Sequence, residues 1–340
     1  MYSYKQRNGI INKEELEYMK NLYAIGEVLI DFIPIQKGKS LKDVVEFQRV
    51  PGGAPANVAA AVAKYGGKSY MLTKLGTDAF GDFLLEQLQE VGVNTDKVTR
   101  TNEANTGLAF VSLREDGERD FSFYRNPSAD LLFHENEIDE SWFEKGDILH
   151  FCSVDLVESP MKYAHVKAIR SVKENGGIIS FDPNVRLPLW KYAEECRKTI
   201  LEFIPLAHIV KISDEELEFI TGISDQKEAI ASLFVGDVQV VVYTKGAQGA
   251  ELYMKDKQYQ STGYRVVVQD TTGAGDAFIG GFLYKLLEKN VSQQNIEEVL
   301  HMNWQEILTF ANASGALTTT GKGAISSIPV KEDIYKLIEG

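Results

Sequence analysis

The stretch QDTTGAGDAFIGGF, residues 269–282, combines the residue types that phosphate chemistry requires. Gly273 and Gly275 permit positive φ and let a ligand approach the main chain closely. Apolar residues at helical spacing from 277 to 287 predict a helix that begins here, and the first N–H groups of a helix lack partners within it. Together with the positive end of the helix dipole, these groups favour a bound phosphate. The sequence therefore predicts an anion-binding turn.

Asp276 stands in the first turn of this predicted helix and permits two interpretations. A carboxylate here is stabilised by the helix dipole, so ordinary capping explains it as well as chemistry does. Alternatively, Asp276 is a general base that takes the proton of a hydroxyl group as its oxygen attacks a phosphoryl group. Phosphoryl transfer needs a carboxylate and an anion site side by side, and this turn would provide both.

Other classes of site are not indicated by the motifs of the chain. GxGxxG would require glycine at 278, where Phe278 stands, and GxxxxGK[ST] does not occur. The five histidines, at 134, 150, 165, 208 and 301, show no spacing typical of metal ligands. The sequence thus argues against a dinucleotide fingerprint, a P-loop and a transition-metal centre.

Further candidates each have an ordinary structural explanation as well. TKGAQGA, residues 244–250, could present N–H groups to nucleotide phosphates, but a tight turn between strands explains it in isolation. In PGGAPAN, residues 51–57, Asn57 could bind a sugar hydroxyl or serve only helix capping and packing. Arg125 and Arg186 could clamp an anionic oxygen, or form surface salt bridges. Glu216 could organise water around Mg²⁺, or close a capping box with the serine three residues before it.

Composition limits the range of partners. The 340 residues include 49 acidic and 36 basic ones, giving a net charge of −13, which argues against broad binding to nucleic acid. No run of about 18 apolar residues predicts a membrane span, and residues 1–20 lack a signal-peptide core, so we expect a cytoplasmic protein with an N-terminal extension at 1–20. Both cysteines, 152 and 196, are expected to be reduced thiols.

Strands and helices are predicted to alternate along the chain. A buried strand is expected over Leu22–Asp31, and a helix begins near Pro55 and stops at Gly66 and Gly67. Further strands are predicted at 69–74, 147–152, 177–182, 208–212, 238–243 and 265–270. Helices are predicted at 160–174, 189–203 and 213–221. This alternation indicates an α/β fold with a mostly parallel sheet covered by helices.

Two regions interrupt the alternation. GLAFVSL and ERDFSFYR, joined by the turn REDG, predict a β-hairpin, and two more extended pieces lie at about 28–35 and 44–50. We expect a small β layer, with segments at about 28–50 and 105–126, inserted into a single domain spanning 21–340. It is either surface embellishment or a lid over the site.

DTTGAGDAF together with PGGAPANVA resembles the two signature regions of the ribokinase-type (PfkB) carbohydrate kinase family. FYRNPSADLL, FDPNVRLPLW and VKISDEELEFITG look like the fructokinase branch of that family. The resemblance spans nearly the whole chain. It implies a three-layer α/β/α sandwich with a β lid, ATP as phosphoryl donor with Mg²⁺ and a K⁺-type monovalent cation, transfer to the 6-hydroxyl of fructose, and a homodimer formed through the lid.

The resemblance also implies roles for individual residues. Phosphoryl transfer would use Asp276 as base, with Gly273, Ala274, Gly275 and Arg186 at the anion hole. Sugar hydroxyls would be bound by Asp31, Gly52, Gly53, Asn57 and Arg125. The nucleotide would lie against Asn184, Lys211, Thr244, Gly246, Gly249 and Asn312. Glu216 would act on Mg²⁺ through water, although Ser213 replaces the asparagine that many members have three residues earlier, and Asp270 and Thr272 would contact the monovalent cation.

Three rival functions stay open at this point. A 2-keto-3-deoxygluconate kinase would use Arg125 and Arg186 for the carboxylate of its substrate. A nucleoside kinase is a second rival. A non-catalytic sugar sensor on the same scaffold is a third, since a fold does not fix function, but such a protein would be free to lose Asp276.

Overall fold

The computed structural model describes residues 19–36, 38–113 and 119–340. Nearly all of the predicted N-terminal extension, and the turn predicted for the hairpin at 114–117, lie outside these residues. The described strands are β1 (Asn21–Ile25), β2 (Leu29–Pro34), β3 (Phe47–Gly52), β4 (Lys68–Gly76), β5 (Val98–Thr101), β6 (Leu108–Leu113), β7 (Arg119–Tyr124), β8 (Ile148–Cys152), β9 (Ile178–Asp182), β10 (Ile209–Ser213), β11 (Val240–Thr244), β12 (Ala250–Met254) and β13 (Lys257–Ser261).

Helices connect most of the strands. In the described ranges they are α1 (Ala54–Lys64), α2 (Ala79–Glu90), α3 (Pro160–Glu174), α4 (Ala193–Phe203), α5 (Asp214–Thr221), α6 (Gln226–Ser232), α7 (Ala274–Glu288), α8 (Ile296–Thr318), α9 (Ala324–Ser327) and α10 (Lys331–Glu339). None of these has the combination of length and apolar character that a bilayer span needs. Helix α1 carries Pro55 in its first turn and ends before Gly66, as predicted.

The large sheet runs in the order β13-β12-β11-β10-β9-β8-β1-β4-β5. Its strands from β11 to β5 are parallel, while β12 and β13 add an antiparallel edge. Alternate residues of one strand belong to different hydrophobic clusters: Ile209 belongs to the cluster that includes α1, α7 and α8, and Val210 to the one that includes α3, α4 and α5. Both faces of the sheet are therefore covered by helices, and the predicted α/β/α sandwich is confirmed.

A second sheet of the described residues has the order β3-β2-β6-β7. Its strands come from the two regions where the sequence departs from α/β alternation, so the separate β layer is confirmed. Asp31 pairs with Val50 and Ala109 across this sheet and shares their face. Val50 approaches Gly323, just before α9, so this face of the small sheet is turned towards the main domain.

One predicted strand is wrong in part and another is wrong altogether. Leu22–Asp31 is not one strand, because the chain turns at Gly26 (φ 141°) and its two halves join different sheets. Residues 265–270 form no strand: β13 already occupies the sheet edge, and the N–H groups of Gln269 and Asp270 donate to the carbonyl of Thr319 instead. The side chain of Val267 is accordingly 84% exposed, so β-branched composition alone was misleading. Helix α4 begins at Ala193, later than predicted, after a short 3₁₀ turn.

Candidate active site

The candidate site lies at the carboxyl ends of the central parallel strands. Asp182 ends β9, Lys211 lies near the end of β10, and Thr244 ends β11. The start of α7 faces these strand ends, because Lys211 Nζ is 3.4 Å from the position that a Cβ on Gly275 would occupy. Ligands of open α/β sheets bind at this edge.

The predicted anion-binding turn has the expected backbone. Gly273 precedes α7 in the left-handed conformation (φ 77°), and a Cβ there would lie 2.6 Å from Cβ of Ala324. A side chain at 273 would therefore be strained in conformation and blocked by packing. Helix α7 begins at Ala274, whose N–H donates to the carbonyl of Thr271 at 3.3 Å. The N–H of Gly275 is one of the first-turn donors without an acceptor inside the helix.

Asp276 faces another element and does not cap its own helix. Its Oδ2 accepts a 2.7 Å hydrogen bond from Nδ2 of Asn57, which lies on α1, 219 positions away in the chain. Burial raises the pKa of Asp276, while Asn57, Arg186 and Lys211 act to lower it and Glu216 raises it further. A carboxylate of raised pKa, held by one donor at a helix N-terminus, suits proton acceptance.

Asn57→Ala should move the acid limb of the kcat/KM profile to higher pH. The variant removes a hydrogen bond that stabilises the ionised form of Asp276, so the already raised pKa of this carboxyl rises further. A general base must be deprotonated, so activity would be lost at a higher pH as acid is added. The measurement is kcat/KM between pH 5 and 9; an unmoved limb would show that Asp276 does not control it.

Three further predicted residues, on or after the strands that end at the site, lie at different depths. Lys211 is buried, with Nζ 2.9 Å from Oδ2 of Asp182. Asn184 is also buried, and it has positive φ (46°), which is uncommon for a residue other than glycine. Arg186 is exposed, and its Nη1 donates to the carbonyl of Val185 at 3.1 Å. Asp182 itself was not identified from the sequence; its place at the end of a buried strand was the available signal.

Glu216 is fixed by donors from two segments. Its Oε2 accepts from Oγ of Ser213 at 2.8 Å, which confirms the capping box, and its Oε1 accepts from the N–H of Val185 at 2.6 Å. Burial acts to raise the pKa of Glu216, but Lys211 and these hydrogen bonds hold it below its usual value. The carboxylate stays ionised and rigid beside Lys211, which fits a group that accepts hydrogen bonds from the water ligands of Mg²⁺.

The predicted sugar-binding residues divide into two groups. The carboxylate of Asp31 lies directly against Gly52, leaving no room for a Cβ, and Gly53 lies directly before α1. Both glycines are thus close in the chain to Asn57, and Gly52 is close in space to strand β2, which carries Asp31. Arg125 forms the second group, with its guanidinium paired with Asp130 and Asp155 and its side chain only 3% exposed.

The cluster around Arg125 contains residues that sequence reasoning missed. Asp130, Asp155 and Glu27 are all buried, and each has one carboxyl oxygen without a hydrogen-bond partner among the described residues. Burial, with a smaller contribution from the charge of Asp130, raises the pKa of Asp155 to about 7 against the opposing charge of Arg125. Burial also raises the pKa of Glu27, with Asp155 adding to the effect. Spacing in the sequence gave no signal for this cluster.

The predicted nucleotide residues beyond Lys211 and Asn184 lie near the antiparallel edge. Thr244 is followed by a 3₁₀ turn over Gly246–Gln248, which confirms a turn between β11 and β12. Gly249 packs against the carbonyl of Ser261. Asn312 of α8 donates at 3.3 Å to the carbonyls of Ser261 and Thr262, so these segments meet.

Asp270 and Thr272, predicted at a monovalent cation, contact each other. Oδ1 of Asp270 accepts from the N–H and the hydroxyl of Thr272, at 3.0 and 2.7 Å, and Oδ2 accepts from the N–H of Gly323 at 3.1 Å. The carboxylate thereby ties the turn before α7 to the turn before α9. Its role towards a cation stays a prediction.

A helix start with unpaired N–H groups and a carboxylate beside it, at the carboxyl ends of a parallel sheet, fits a phosphotransferase with an alcohol acceptor. The family model for pfkB family carbohydrate kinases matches residues 19–331, and the chain belongs to this family. It is 43% identical to "Probable fructokinase-5" of Arabidopsis thaliana over 94% of this chain and 97% of that protein.

Solved structures agree with the family assignment. Fructokinase from Xylella fastidiosa with bound ATP superposes with a TM-score of 0.87 and 36% identity, covering 94% of this chain and 98% of that one. Fructokinase from Vibrio cholerae with fructose, ADP and calcium ion gives 0.83 and 35%, covering 94% and 99%.

Proposed function

We propose that the protein is an ATP-dependent fructokinase that transfers the γ-phosphoryl group to the 6-hydroxyl of D-fructose, giving fructose 6-phosphate and ADP. The observation that carries this proposal is the 2.7 Å contact between Asn57 and Asp276. It joins the predicted sugar side of the site, on α1, to the predicted base at the anion-binding turn. The relatives named as fructokinases, one of them solved with fructose and ADP, support the substrate.

The residues of the chain divide the work of the transfer. Asp31 and Asn57 orient the sugar so that its primary hydroxyl faces Asp276, which accepts the proton as the oxygen attacks. The N–H groups at the start of α7 receive the charge on the transferring phosphoryl oxygens. Positioning and electrostatic stabilisation account for most of the catalysis in phosphoryl transfer.

Two cations belong to the proposal. Glu216 would hold water ligands of Mg²⁺, and Mg²⁺, when bound, supplies positive charge to the phosphate oxygens. Its fixed, ionised carboxylate supports this role. Asp270 and Thr272 would lie near a K⁺ ion beside the turn, where both residues are already held together.

A coupled assay of ADP formation over several acceptors tests the substrate. We expect the highest kcat/KM with fructose and much lower values with ribose, 2-keto-3-deoxygluconate, tagatose 6-phosphate and adenosine. The keto acid is disfavoured because Arg125, one of its two expected partners, is already paired with Asp130 and Asp155. Highest activity on another acceptor would make that acceptor the substrate in place of fructose. No activity on any acceptor would favour a non-catalytic sugar sensor.

The small sheet is proposed to act as a lid and as a dimer interface. Asp31 lies on the face that is turned towards the main domain, so closure would exclude water from the sugar. On the opposite face Phe32 stacks on Phe110, with ring centroids 4.6 Å apart, and also packs edge-on against Phe80 of α2, while Tyr124 farther along the sheet is 63% exposed. This apolar face suits a second copy of the chain, which sedimentation velocity would detect.

A cytoplasmic location is part of the proposal, supported by the free, buried Cys152 and Cys196.

A further inference from the structure

The strongest feature beyond the predicted site residues is the buried ion pair between Asp182 and Lys211. The register of β9 and β10 pairs Phe181 with Val210, so the next residue of each strand lies beside the other. The two side chains are 1% and 8% exposed. Oδ1 of Asp182 accepts a hydrogen bond from Nζ at 3.2 Å, and Oδ2 lies 2.9 Å from the same nitrogen.

Stability alone does not explain this pair. Removing two charges from water costs several kcal/mol per ion, and apolar side chains of similar size usually give equal or greater stability. The pair instead lies where charge matters for the reaction, because Nζ is 3.4 Å from the Cβ position of Gly275. Lys211 and Arg186 are the cations that act on the pKa of Asp276, and only Lys211 is buried.

We propose that Asp182 is a positioning residue for phosphoryl transfer, which holds the ammonium of Lys211 beside Gly275 so that it meets the transferring phosphoryl group. This inference rests on the proposed function. An ammonium carries three donors, and the described residues account for one of them, the bond to Asp182. The remaining donors can turn towards phosphate oxygens without breaking the ion pair.

The charge balance of the site supports the same role. Asp182, Glu216 and Asp276 are three carboxyls whose charges all act on Lys211. Without a fixed ammonium among them, these groups would repel the triphosphate of ATP. Asp182 therefore does not attract phosphate itself. It holds the flexible side chain of Lys211 where the positive charge of the ammonium offsets the charges of Glu216 and Asp276.

The test compares kcat and fructose KM in Asp182→Asn, Lys211→Met and the double variant. Lys211→Met should lower kcat by about 10²-fold, and Asp182→Asn by about 10-fold or more, at nearly unchanged fructose KM. The double variant should be no worse than Lys211→Met alone, because Asp182 acts through the lysine. Asp147→Asn is the matched control: this buried aspartate lies at the opposite end of the sheet, bonded to the N–H groups of Asn21 and Glu144, and should change stability but not kcat.

Each outcome decides the inference. Asp182→Asn with kcat within about twofold of wild type, or a double variant in which the two losses multiply, would overturn it. If Asp182→Asn does not fold, Asp182→Glu keeps the charge, displaces the ammonium and should still lower kcat. Failure of the proposed function is seen separately, because the wild-type protein then does not phosphorylate fructose. In that case the ratio of variant kcat to wild-type kcat is measured with whichever acceptor the protein phosphorylates, or with water as acceptor.

Discussion

Asp276→Asn should lower kcat by about 10²–10⁴-fold while the protein stays folded. Asparagine keeps an oxygen that can accept the 2.7 Å hydrogen bond from Asn57, so the geometry of the site is preserved. What is lost is the ability to take a proton from the sugar hydroxyl. Because burial raises the pKa of Asp276, the ionised carboxylate is costly in the folded protein, and the variant should be as stable as wild type or slightly more so.

Steady-state kinetics and a urea unfolding curve, measured on the same preparation, test this expectation. Asp256→Asn is the matched control, since this aspartate is exposed in the turn between β12 and β13 and should leave both measurements unchanged. A variant at 276 that kept near-normal turnover would remove Asp276 as the base. If the variant loses activity only because it unfolds, the role of Asp276 is structural.

Arg125→Met should destabilise the fold by about 3–5 kcal/mol, the usual cost of breaking a buried ion pair from one side. The guanidinium is the partner of Asp130 and Asp155, and its charge also acts on Glu27. Without it, three buried carboxyl groups are left with no opposing charge. Arg170→Met, at an exposed arginine, is the control and should change stability by no more than about 0.5 kcal/mol.

The destabilisation should grow as pH rises. Burial already raises the pKa of Asp155 to about 7 and that of Glu27 above its usual value, so the folded protein holds protons that the unfolded chain releases. The stability that these two carboxyls contribute is fully present below their pKa in the unfolded chain, near 4. It is lost as the pH rises through their higher pKa in the folded protein. Losing the arginine raises these folded pKa values further, so the variant should be closest to wild type below about pH 6, where both carboxyls stay protonated in either folded protein.

The same variant separates two roles for Arg125. If the guanidinium binds sugar, Arg125→Met raises the fructose KM and leaves the urea midpoint unchanged. If it holds Asp130 and Asp155 together, the midpoint falls at every pH above about 6. Strand β7 ends at Tyr124, directly before this arginine, so a loss of stability here should also loosen the attachment of the small sheet.

Local features of the chain were predictable because their causes are local. The glycine before α7 and the apolar spacing after it depend on residues that are adjacent in sequence, and the helix begins at Ala274 as expected. The capping box of Ser213 and Glu216 joins residues three positions apart. The strand predicted over 265–270 failed because pairing depends on a neighbouring strand, which the local pattern does not reveal.

The sequence by itself predicted most of the strands and helices, the backbone of the turn before α7 and a carboxylate in the first turn of that helix, since these follow from short-range spacing and backbone chemistry. Only the tertiary structure decided which distant groups share a site: Asn57 with Asp276, Val185 with Glu216, and Asp182 with Lys211. It likewise enclosed Arg125 among three carboxyls. The reason is physical, because the protonation and partners of a buried charge depend on what the folded chain brings within a few ångströms of it, and residue spacing carries no record of that.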